Sequence, residues 1–156
     1  MVIQRWQSLF LLISAVLMSC FSFLSLGQVQ LTDATLNFTA FGFFYEGQSA
    51  TVAPEHCALS TIGLFVVSII SAVLALIAIF SFKNLKAQLR LVLIDVLFIV
   101  VTISLGAWYG YSGFEGGEIY WSSMVCAPFI ALIANVMAYN RISADARLLR
   151  DSERLR

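Results

Sequence analysis

Charge is scarce in this chain. Of its 156 residues only 12 % are Asp, Glu, Lys or Arg, and nine basic residues balance nine acidic ones. A neutral chain has no electrostatic hold on a polyanion, so nucleic acid is excluded as a bulk partner. Histidine is nearly absent. With His56 alone, no nucleophile–base constellation of a familiar kind exists. Cys20, Cys57 and Cys126 form no Cys-x-x-Cys pair, which excludes the membrane thiol oxidoreductases that work through one. There is no glycine-rich phosphate loop either. Glu55-His56-Cys57, with Glu115 and Glu118 on the same side, matches no metal-ligand spacing. The expectation is therefore no catalytic set, no cofactor and no metal, and hence no enzyme.

What the chain has in abundance is apolar side chains, 60 % of the total, with a mean hydropathy of +0.91. Soluble domains average roughly 45–50 % apolar and about 25 % charged. The excess gathers in four runs, 8–26, 59–82, 89–109 and 121–139, each near the ~20 residues that cross a hydrocarbon core. Asp95, in the third, is the one acid in any of them. Lipid cannot hydrogen-bond a backbone, so such runs are helices. In the first run, Arg5 followed by an apolar stretch to Cys20 has the look of a cleavable signal. The apolar character continues through Phe21, Phe23, Leu24 and Leu26, so a retained span is expected.

Orientation follows from the nine basic residues. They are Arg5, then Lys83, Lys86 and Arg90, then Arg141, Arg147, Arg150, Arg154 and Arg156. The intervening segments 27–58 and 110–120 have none and carry Asp33, Glu46, Glu55, Glu115 and Glu118. Basic residues stay on the side of synthesis. The expected topology has four spans, both termini cytoplasmic, and two outward loops.

Small residues give the spans their faces. Ser68, Ser71, Ala72, Ala75 and Ala78 form a stripe at helical spacing in the second, as Ala15, Ser19 and Ser22 do in the first. Such stripes let membrane helices approach closely. With short connections, the fold class is an all-α integral membrane protein, a four-helix antiparallel transmembrane bundle. Pro128 is expected to kink the fourth span.

The 32-residue outer loop 27–58 alternates apolar and polar residues on both sides of Asp33-Ala34. That pattern predicts a small β-hairpin as a cap over the bundle's outer end. A hairpin alone is marginal, and Phe41, Phe43, Phe44 and Tyr45 are the candidates to rest it on the bundle. Tyr109, Tyr111, Tyr120 and Trp121 read as an interfacial belt around a flexible, glycine-rich second loop.

Asp95 is the most informative single residue, since an ionisable group inside a span costs about 2–3 kcal/mol or more. Counted from the cytoplasmic boundary it lies roughly 10 Å deep, and Asn135 on the fourth span lies at comparable depth. The two form a candidate intramembrane polar pair. Snorkelling toward Arg90 and a proton or ion role are the alternatives. Cys57–Cys126 is the better disulfide pair, with free buried thiols the competing reading. The tail 140–156 reads as a charged helix continuing the fourth span, with Arg141–Asp145 and Arg147–Asp151 at the favourable spacing. Ile142, Leu149 and Leu155 give it an apolar edge. Arg141, Arg147, Arg150, Arg154 and Arg156 are the candidate docking residues, toward anionic headgroups or a partner.

The ends and the middle also carry a resemblance. Met1-Val2-Ile3-Gln4-Arg5-Trp6-Gln7 running straight into a span, Phe82-Lys83-Asn84 followed by Gln88-Leu89-Arg90, and a tail with Asn140-Arg141, Asp145, Leu149-Arg150 and Arg154-Leu155-Arg156 resemble a four-pass Bacteroidota family, domain of unknown function 4293. Tyr139 between Ala138 and Asn140 departs from the usual Ala-Asn-Arg. The resemblance covers the whole chain and implies a four-helix inner-membrane protein of no assigned activity. The expected function is a non-enzymatic accessory, scaffold or assembly subunit that contacts lipids and other membrane proteins or its own copies. The alternative is a small oligomeric transporter or proton-conducting element using Asp95.

Overall fold

A computed structural model describes residues 2–30, 35–45, 61–81, 84–112 and 118–154. Four helices dominate: α1 (Val2–Phe23), α2 (Ile62–Phe80), α3 (Leu85–Ser112) and α4 (Ala127–Arg154). All four are long and apolar enough to span a membrane. Each packs against its two neighbours in the order α1-α2-α3-α4 and back to α1. The result is a square antiparallel bundle.

Local chemistry sets the helix ends. Asn84 precedes α3 and its Oδ1 accepts the Ala87 N–H at 3.3 Å, while its carbonyl accepts Gln88 N–H at 2.9 Å, satisfying donors that have no helical partner. Pro128 does not kink a span. It is the second residue of α4, directly after a 3-10 turn, Ser123–Cys126, and its missing N–H falls where a helix start has no acceptor to offer. The first apolar run, expected to stay helical to Leu26, turns into a strand instead: α1 stops at Phe23 and Leu26 is buried beneath the sheet.

That sheet has four antiparallel strands in the order β3-β2-β1-β4: β1 (Ser25–Gln30), β2 (Thr35–Thr39), β3 (Phe43–Tyr45) and β4 (Glu118–Trp121). The β1–β2 hairpin agrees with the alternating pattern. Val29, Leu36 and Phe38 are buried while Gln28 and Gln30 face outward. The second outer loop, read as a flexible belt, adds β4 to β1, with Gln28 opposite Tyr120 and Val29 opposite Ile119. Gly27 makes this pairing possible, because a Cβ there would meet the Tyr120 carbonyl at 2.9 Å. The hairpin rests on the bundle through this buried face and through Phe41, which meets Phe65 of α2 edge-on at 5.3 Å. The side chains of Phe43 and Tyr45 lie outside the described residues.

The core has three layers. Phe21, Leu26, Phe38, Ala40, Leu64 and Ala127 fill the sheet end. Met18, Ala72, Ile99 and Ala131 form the middle. Leu11, Ala78, Val92, Ala138 and Ile142 close the opposite end. The small-residue stripe of α2 is wholly inside, and the outward faces carry exposed Leu97, Ile133, Phe80 and Trp108.

Candidate functional site

One polar layer lies between the middle core layer and the layer farthest from the sheet, and each helix contributes one residue to it. Ser14, Ser71, Asp95 and Asn135 are all fully buried. Helical periodicity explains their meeting: each falls on the stripe that its helix turns inward, Asp95 between Val92 and Ile99, and Asn135 between Ala131 and Ala138. Asp95 Oδ1 accepts the Ser71 hydroxyl at 2.6 Å and Oδ2 accepts the Asn135 amide at 2.7 Å. The same amide nitrogen donates to Ser14 Oγ at 3.0 Å. The side-chain carbonyl oxygen of Asn135 has no partner among the described residues.

Asp95 does not reach toward Arg90. Its level is also deeper than the sequence count gave, because α3 begins at Leu85 rather than near residue 89. Its partner Ser71 is the tenth of the nineteen residues of α2, which puts the layer about 14 Å from either end of that helix. Both carboxylate oxygens are hydrogen-bonded, which is the condition for burying such a group at tolerable cost. Asp95 and Asn135 were readable from sequence as polar exceptions in apolar runs. Ser71 was visible only as part of a small-residue stripe, and Ser14 carried no signal beyond its spacing from Leu11 and Met18.

Two further polar ties join helices. Ser22 and Ser68 hydroxyls meet at 2.8 Å between α1 and α2, and the Gln7 amide of α1 donates to the Asp145 carboxylate of α4. The second tie corrects the reading of the tail. Asp145 serves Gln7, on another helix, and among the described residues it forms no ion pair with Arg141. Ile142 is not a docking edge but a fully buried core residue beside Leu11 and Val92. The free part of the tail therefore starts later than residue 140. Arg141 and Arg147 are exposed, as is Leu148. The side chains of Leu149, Arg150, Asp151 and Arg154, and all of Leu155 and Arg156, lie outside the described residues.

Cys20 and Cys126 are free thiols. The Cys57–Cys126 bond is therefore not formed at Cys126, while Cys57 itself, and with it the Glu55-His56-Cys57 group, lies outside the described residues.

The sheet end holds an apolar cavity of about 280 Å³ beneath the strands, between α3 and α4. Trp121 reaches from β4 across to α3, where the edge of its indole meets Gly110. A Cβ at that glycine would sit 2.3 Å from the ring.

A family model described as Domain of unknown function (DUF4293) matches residues 3–155. No curated protein and no solved structure matches the chain.

Proposed function

We propose, from the premise that the chain belongs to the DUF4293 family, that it is a non-enzymatic accessory or scaffold subunit of a bacterial inner membrane. Its four helices span the bilayer, both termini are cytoplasmic and the sheet lies on the periplasmic side. What supports this orientation is the gathering of Lys86, Arg90, Arg141 and Arg147 at the end of the bundle opposite the sheet, as the positive-inside rule requires.

The observation that carries the scaffold reading is the course of α4. The helix continues unbroken to Arg154, about two turns beyond the Gln7–Asp145 tie. Exposed Arg147 and Leu148 lie on those last turns. A helix so short is unstable alone in water, so an apolar residue on a basic helix end is suited to rest on a partner's acidic surface. Truncation after Ala146 is the test, since it spares Ile142 and Asp145. The shortened protein should insert and melt like the full chain yet lose the membrane proteins that co-purify with it. Recovery of every partner would move the docking role to the sheet or the helix faces.

A second reading is favoured by Asp95, a wholly buried carboxylate beside an Asn135 side-chain carbonyl that has no partner among the described residues. In that reading the polar layer carries a proton or small cation across an oligomer. Proton leak in vesicles holding the purified protein, abolished by Asp95→Asn at unchanged melting temperature, would establish it over the scaffold.

A further inference from the structure

The cavity at the sheet end is bounded by Phe21, Phe38, Ile103, Gly106, Trp121 and Phe129. A cavity of this kind holds water only where it offers two to four polar partners. The hydroxyl on its wall, that of Thr102, already donates to the Phe98 carbonyl at 2.9 Å, which leaves the Trp121 indole N–H as the other polar side-chain group among the lining residues. Water is therefore a poor occupant. At about 280 Å³ the space is nearly twice the ~150 Å³ that accommodates one benzene ring, enough for roughly eleven carbons.

Position identifies the occupant. The rim carries exposed Ala107, Phe129 and Trp121, and the cavity opens sideways between two helices read as spanning the bilayer. The neighbouring medium at that depth is hydrocarbon. Gly106 is the feature that keeps the space open: a Cβ added there meets nothing within 4 Å. An empty space of this size in a core forfeits dispersion contacts and costs stability. We infer that the cavity seats one phospholipid acyl chain, which enters between α3 and α4 and lies under Trp121.

The test uses the full-length protein, delipidated in detergent and then given phosphatidylethanolamine, with retained lipid counted by native mass spectrometry. Wild type should hold one lipid. Gly106→Leu, whose side chain grows into the open space, should lower retention about tenfold. Gly106→Ala guards against a misfolded leucine variant and should lose about threefold, since it fills only one methyl's worth of room. Leu97→Phe adds similar bulk on the exposed face of α3 and should retain lipid as wild type does. Equal retention in all four proteins, or equal loss in Leu97→Phe and the Gly106 variants, would overturn the assignment.

Discussion

The two halves of the bundle are closed by different means. Away from the sheet, α2 and α3 are joined by only residues 81–84, and side chains fill the interior: Leu11, Val92 and Ile142 are all fully buried. Helix contacts there are reinforced by the polar layer and by Gln7–Asp145. At the sheet end the connections are long, and the helices leave a cavity between α3 and α4. Strands do the closing instead, with Trp121 clamped on Gly110. Short links pin helices together directly. Where links are long, the linking segments must themselves become structure, and the closure they provide is looser.

If the polar layer is the firmer lock, Asp95→Leu should be the most damaging substitution. It leaves the Ser71 hydroxyl and one of the two Asn135 amide N–H groups without an acceptor, the other still donating to Ser14; the loss should be about 2–3 kcal/mol, read as melting temperature in detergent. Asp95→Asn should cost under about 1 kcal/mol, because a flipped Asn135 would turn its idle carbonyl toward the new amide. The next largest effect belongs to the sheet end. Gly110→Ala drives a methyl into the Trp121 ring and should cost about 1–2 kcal/mol, with a shift in tryptophan emission as the indole lifts from α3. Should Gly110→Ala prove more harmful than Asp95→Leu, the ranking of the two halves is reversed. The smallest effect is expected for Ser68→Ala, about 0.5 kcal/mol, since Ser22 keeps its bond to the Met18 carbonyl at 2.8 Å.

The same division explains what could be read from sequence. Runs of apolar residues and inward-facing stripes are local signals, so the four helices and the burial of Ser68, Ser71, Ala72, Ala75 and Ala78 were legible. Alternation around Asp33 marked β1 and β2 because their partners are near in sequence. Nothing local marks Glu118–Trp121 as a strand, since its partner β1 lies some ninety residues earlier. Ile142 was misjudged for a related reason. Its apolar spacing looked the same whether it faced a partner or the core, and only the length of α1 beyond its apolar run decides that. In the polar layer, the two residues that break the apolar pattern stood out, whereas Ser14 and Ser71 read as small packing residues until their hydroxyls were seen to point at Asn135 and Asp95.

The central position of β1 in the sheet also orders the birth of the protein. Its β2 partner is synthesised soon after it, but its other edge stays open until the ribosome has passed Trp121. An unpaired edge is a template for pairing with the wrong chain. The helix ring shares this delay, for Gln7 must wait for Asp145, 138 residues later. Three helices thus form an open arc at first, and the last helix made completes both the ring and the sheet. Early arrest of translation would leave a nascent chain with two unfinished seams, one within the bundle and one in the strands above it.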